Sequence, residues 1–203
     1  MYFTPVYSEF HDSVVNSGRT PLTVSLKEQD GYYEIDYEAF EEAAKRRPGL
    51  LIMCNPHNPV GRSWTREELE KVGDICVRYQ IPIISDEIHS DLMLYGHRHT
   101  VMAGVSGEIA DITITCTSAT KTFNLAGLQA RYPVLPNHEM KDRYEKFWFG
   151  MDVHRNNCFS LVAVETAFRE GGEWLEQLLD YLEGNIDYTW DYLKKNITGN
   201  SFS

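Results

Sequence analysis

Apolar and polar positions along the chain follow two periods in alternation. Residues 49–55, "GLLIMCN", form a short unbroken apolar run, the pattern of a strand covered on both faces. A polar, proline-rich loop follows, and then Leu69, Val72, Cys76 and Tyr79 recur at helical spacing. Thr65 and Glu68 occupy capping-box positions at the head of that helix. Residues 81–85 ("IPIIS") and 112–117 ("ITITCT") read as two further buried strands. Strand, helix, buried strand at this spacing is a βαβ unit. The expected fold class is α/β, a three-layer α/β/α arrangement in which a mainly parallel sheet carries helices on both faces.

The flanks differ from the middle. A turn at Asp30-Gly31 precedes a helix that Asp36 is placed to cap. From about Asn137 the pattern is nearly all helical, with segments over residues 138–149 and 159–169 and a long one over 173–195. Gly171-Gly172 separates the last two.

Composition narrows the partners. The 203 residues carry a net charge of −11, so polyphosphate ligands such as nucleic acid are disfavoured. No apolar run reaches the length of a membrane span, and "MYFTPVYSEF" lacks the basic and apolar regions of a secretion signal. Cys54, Cys76, Cys116 and Cys158 are widely spaced and form no CxxC pair, so the expectation is free thiols in the cytoplasm, with neither a metal site nor a disulfide framework.

In an open parallel sheet, ligands bind outside the carboxyl ends of the strands. The polar motifs of this chain lie at those ends: "CNPHNPVGR" after the first strand, "SDEIHSD" after the second and "SATKTF" after the third. They deliver Asn55 and Asn58, Asp86 and His89, and Ser118 and Lys121 to one edge. Convergence of an amine, a carboxylate, an imidazole and amides exceeds what solubility requires.

"NPHNPVGR", "SDEIHSD" and "SATKTFNLAG" resemble the signature segments of fold-type I pyridoxal-phosphate enzymes in the class I/II aminotransferase superfamily. Together with "KTFNLAGLQ" they are most similar to its cystathionine β-lyase branch, the cysteine-S-conjugate or C–S lyases. The resemblance extends over residues 5–193. It implies the large domain of an aspartate aminotransferase-like fold and pyridoxal 5'-phosphate as cofactor. Lys121 is then the lysine whose amine forms the internal Schiff base and later moves a proton. Asp86 holds the proton on the pyridine nitrogen; Glu87, one residue on, is expected to point to the opposite side of an extended segment. Asn58 matches the asparagine that donates to the cofactor's phenolic oxygen, whereas Asn55 reads as a loop residue. His89 stands where many relatives have tyrosine, and either reaches that oxygen or a substrate group or is structural. Tyr7 resembles the aromatic residue that stacks on the pyridine face.

On the phosphate side, Ser118 matches a hydroxyl that contacts the phosphate. Gln129 stands where many relatives place an arginine; an amide donates to phosphate without neutralising it. The nearest arginine, Arg131, lies two residues further on. The resemblance also implies a glycine-bearing loop before Tyr7 and a small domain after the long helix, neither of which is in these residues. The expected division is a partial cofactor-binding large domain over 1–170 and a helix over 171–203 leading toward the small domain. The implied activity is a carbon–sulfur β-lyase acting on cystathionine or another cysteine S-conjugate, in a homodimer. The alternatives are an aminotransferase of amino acids and an inactive truncated fragment.

Overall fold

The chain enters its sheet at once: β1 (Tyr2–Thr4) runs into α1 (Ser8–Asn16), and β2 (Thr23–Ser25) returns to pair with β1 in parallel. The computed structural model describes residues 1–153 and 155–197. An antiparallel hairpin follows, β3 (Lys27–Gln29) with β4 (Tyr32–Glu34). Its turn falls on Asp30 and Gly31, whose φ angles of 53° and 81° match the primed turns that two-residue hairpins favour. Asp36 then caps α2 (Tyr37–Lys45), its carboxylate accepting from the Ala39 amide at 3.1 Å.

The expected βαβ unit follows as β5 (Leu51–Cys54), α3 (Arg66–Tyr79) and β6 (Ile83–Asp86). The capping box at its helix is formed in full: Thr65 Oγ1 accepts from the Glu68 amide at 3.2 Å, and the Glu68 carboxylate accepts from the Thr65 amide at 2.8 Å. Both Glu68 carboxylate oxygens also accept from Arg62 Nη2, at 2.7 and 2.9 Å, while Nη1 donates to the Tyr33 carbonyl at 2.6 Å, which anchors the loop ahead of the helix. A short α4 (Gly107–Asp111) leads into β7 (Thr113–Thr117), α5 (Ala119–Thr122) and β8 (Tyr132–Val134). The six-stranded sheet has the order β2-β1-β5-β6-β7-β8, parallel except for β8, which runs antiparallel to β7 at the edge.

One sheet face is buried under helices, whereas on the other Ile84 and Ile114 of the middle strands are only half-buried. On one face Phe3, Leu51, Met53 and Ile83 pack with Phe40 of α2, Leu69 and Val72 of α3 and Ile109 of α4. On the other, Tyr2, Cys54 and Ile52 meet Phe10 and Val14 of α1. Helices α3 and α4 approach so closely that a Cβ on Gly73 would lie 2.3 Å from Ile109 Cδ1 and 2.6 Å from its Cγ1. Overpacking costs about 1–3 kcal/mol, more than the ~1 kcal/mol that alanine gains over glycine inside a helix. Gly73→Ala is therefore expected to lower the melting temperature, by roughly 2–4 °C for each net kcal/mol lost.

The C-terminal part consists of α6 (His138–Gly150), α7 (Cys158–Glu170) and α8 (Gly172–Asn196), within a few residues of the periodic segments. Phe123, just past α5, packs against Phe168 of α7 and Trp174 of α8, so the turn after β7 is seated on these helices. Their outer surfaces remain apolar: Phe147 is 60%, Phe159 73% and Tyr188 72% exposed. Among the described residues no helix is long and apolar enough to cross a membrane.

Candidate active site

Register and alternation build the site from the sheet upward. Cys54, Asp86 and Cys116 pair side by side at the carboxyl ends of β5, β6 and β7. Strand alternation puts Asp86 on the face opposite Ile83 and Ser85, which are buried under the helices. The Asp86 carboxylate accepts a single hydrogen bond from the described protein, from the Ile88 amide at 3.3 Å. Burial pushes its pKa above the usual carboxylate range and the neighbouring Glu87 adds to that, against the Ile88 amide, His89 and the Lys121 cation.

Glu87 faces the other way, as period-2 alternation requires. It is 2% exposed and accepts from Ser85 Oγ at 2.8 Å and from the Met102 amide at 3.0 Å. His99 Nε2 lies 2.7 Å from its second oxygen. That carboxylate ties the end of β6 to the loop ahead of α4, and Asp86 alone of the pair faces the cleft.

Lys121 is presented by a turn that buries everything around it. Ser118 caps α5, accepting from the Thr120 amide at 3.0 Å. Ser118, Thr120 and Thr122 are all buried, while Lys121 between them is exposed. Its cation acts on Asp86 and on His89, and Asp86 acts in turn on Tyr7. Lysine, histidine and tyrosine are thus each linked electrostatically to Asp86. Burial lowers the His89 pKa, the Lys121 cation lowers it further and Asp86 opposes both, so the imidazole is neutral near pH 7. Tyr7 occupies the N-cap position of α1 with its ring 45% exposed and edge-on to Phe10, 6.3 Å between centroids.

The two asparagines separate cleanly. Asn55 is fully buried; its Nδ2 donates to the Thr100 carbonyl at 2.9 Å and its Oδ1 accepts from the Trp64 amide at 3.4 Å. It is a pin between loops, more than the plain loop residue that sequence reading expected. Asn58 is half-buried, its amide N–H 3.4 Å from Cys54 Sγ, and its carboxamide hydrogen-bonds to none of the described residues.

The phosphate-side residues are less alike. The Ser118 hydroxyl is turned into the fold, 2.8 Å from Thr120 Oγ1 and bonded to the Ala130 carbonyl. Gln129 is exposed, with a φ of 51° in the left-handed region. Together with Arg131, Tyr144, Trp148, Arg155 and Asn157 it lines a cavity of about 410 Å³. Burial pushes the Cys116 thiol up to about 11, Asp86 adds to the rise and Arg131 pulls back, which puts that guanidinium near the Asp86 row. Sequence reading overlooked Asp91, the second aspartate of "SDEIHSD", which the fold carries to the lysine turn.

Comparison with known proteins adds the following. A family model, "Aminotransferase class I and II", matches residues 1–199. Cystathionine beta-lyase PatB of Bacillus subtilis (strain 168) is 43% identical over 199 residues, covering 95% of this chain and 50% of PatB. Among solved structures, cystalysin from Treponema denticola, which contains a pyridoxal 5'-phosphate cofactor, superimposes with a TM-score of 0.93 at 34% identity over 97% of this chain and 50% of its own. The PLP-bound C-S lyase from Staphylococcus hominis gives 0.91 at 32% identity, over 97% of this chain and 49% of its own. The chain spans about half the length of the curated relatives it matches.

Proposed function

Because the chain belongs to the class I and II aminotransferase family, we propose that it binds pyridoxal 5'-phosphate and serves as a carbon–sulfur β-lyase of cysteine S-conjugates. The names of the relatives support this reading, and one observation carries it: Asp86 and Lys121 follow neighbouring parallel strands, β6 and β7, and the lysine cation acts on both Asp86 and His89. The donor set fits the cofactor. An exposed amine, a half-buried carboxylate with one protein donor, a carboxamide without a protein partner and an exposed aromatic ring stand at one edge.

When bound, the cofactor supplies an electron sink for the electrons of the substrate's Cα–H bond. Lys121 would provide the amine for covalent attachment and the base for the substrate's Cα proton. Asp86 holds a proton on the ring nitrogen; a carboxylate whose charge is poorly compensated by the protein gains most from a cationic N–H partner. Asn58 would donate to the phenolic oxygen, with His89 a second group for that oxygen or the substrate. The Tyr7 ring would stack on one face of the pyridine. Gln129 and Arg131 would offer donors to the phosphate, whereas the Ser118 hydroxyl is engaged by Thr120 and Ala130. In the balanced reaction the Cα–H and Cβ–S bonds break, the sulfur leaves as a thiol, and water completes the conversion of the remainder to pyruvate and ammonia.

An aminotransferase is the second reading, favoured by the family's own description, and it uses the same lysine, aspartate and asparagine. Incubation with cystathionine and pyridoxal phosphate separates the two. A lyase releases pyruvate in step with thiol; keto-acid exchange without pyruvate overturns the lyase assignment.

The same reading makes residues 1–170 the cofactor-binding part and 171–203 the segment leading on from it, described over Gly172–Asn196 as α8. It assigns the exposed apolar side chains of α6–α8 to a homodimer contact, and the four free cysteines accord with a cytoplasmic setting.

A further inference from the structure

Two segments carry the chemistry of the candidate site, and they are 31 residues apart in sequence where they touch. One is the turn after β6, which bears His89 and follows Asp86. The other is the turn after β7, which bears Lys121. Thr122, fully buried, donates its hydroxyl to Asp91 Oδ2 at 2.8 Å and joins them. Asp91 closes the β6 turn, where the Ser90 amide donates to the Glu87 carbonyl and the Leu92 amide to the His89 carbonyl, each at 3.0 Å. On the other side the Phe123 amide donates to the Ala119 carbonyl at 2.9 Å and the Leu125 amide to the Thr120 carbonyl at 2.8 Å. The side-chain bond therefore connects two internally bonded turns at the residue next to the lysine.

We propose that Asp91 and Thr122 are positioning residues that hold the Lys121 amine in register with Asp86 and His89. This rests on the pyridoxal-phosphate reading above for its consequence, though the latch itself is a property of the chain. A lysine side chain is long and flexible, and productive geometry tolerates only about 0.5 Å of error. The backbone beneath it must be fixed by something other than the lysine. Ser118 and the Phe123 packing seat the α5 turn on its own side of the site. Only the Thr122–Asp91 bond links that turn by a side chain to the segment holding His89, among the described residues. Asp91 is half-buried, so its carboxylate becomes solvated when the bond is removed, and the loss is read mainly as lost orientation.

Thr122→Val keeps the buried shape and deletes the hydroxyl; Thr122→Ser keeps the hydroxyl and deletes the methyl. A packing role fails in the serine variant, a latch in the valine variant. Two readouts are taken on the full chain. Amide hydrogen exchange at Phe123 and Leu125, without cofactor, is expected to speed up about tenfold in Thr122→Val and in Asp91→Ala, and less than about twofold in Thr122→Ser; tenfold corresponds to ~1.4 kcal/mol. Borohydride-fixed pyridoxal phosphate on Lys121 is expected to require about tenfold more cofactor in Thr122→Val, and wild-type amounts in Thr122→Ser. Equal exchange in wild type and Thr122→Val overturns the latch. So does equal cofactor demand in the two, or an equal loss in Thr122→Ser. A wild-type chain that fixes no cofactor at Lys121 contradicts the cofactor reading instead, and the exchange data then decide the latch by themselves.

Discussion

Lys121→Ala is expected to leave a folded protein without covalent cofactor and without lyase turnover. The side chain is exposed while its neighbours Thr120 and Thr122 are buried, so truncation removes no core packing and the melting temperature stays near that of the parent. The chemical loss is total at one step and large at the next. No other amine follows the "SAT" turn into the cleft, and the group that would take the Cα proton is absent. Removing a proton-transfer group typically costs roughly 10²–10⁴ in rate, and the lost attachment adds to that. Turnover by the variant within about tenfold of the parent would show that the proton is taken by another group, with His89 the nearest alternative.

Asp86→Asn is expected to act in opposite directions on function and stability. Losing the carboxylate that would hold the ring proton should lower pyruvate release by roughly 10²–10⁴. The apo protein should become more stable near neutral pH. Burial raises the Asp86 pKa above its unfolded value, so the native state binds more protons between the two values. The stability this contributes is complete below the unfolded pKa and is lost as pH rises through the folded one. Near neutrality the buried carboxylate is a burden, and asparagine keeps an acceptor for the Ile88 amide without the charge. Thermal melts should place Asp86→Asn above wild type by roughly 2–4 °C per kcal/mol relieved. The gap should close as pH falls through the raised folded-state pKa of Asp86. A variant less stable than wild type near neutrality would mean that the carboxylate is held by donors inside the fold and is not poised for a ligand.

The parts of the fold legible in the sequence are those where a period repeats often enough to be read. The β5–α3–β6 unit and β7 are apolar runs or helical faces with their caps in sequence, and once the resemblance pointed to Asp86, strand alternation turned Glu87 to the other face. What escaped was short or partnered at long range. β1, β2 and β8 are three residues each, too few for a period to emerge. β8 also carries Pro133, which argues against a strand except at an edge, where the chain places it opposite Cys116. In the site, residue types were easier to read than directions. Ser118 has the hydroxyl expected of a phosphate contact, but the fold engages that hydroxyl with Thr120 and Ala130. Asp91 went unread because its partner, Thr122, is far along the chain, and Asn55 because nothing local shows that its carboxamide bridges to Thr100 and Trp64.

The measurement that bears most directly on the proposed chemistry is peptide mass mapping after incubation with pyridoxal phosphate and borohydride reduction. One adduct is expected, on the peptide containing Lys121, with formation suppressed in Asp86→Asn. Adducts scattered over surface lysines, with Lys121→Ala labelled as heavily as wild type, would leave the cleft without its nucleophile and the family likeness without its chemistry.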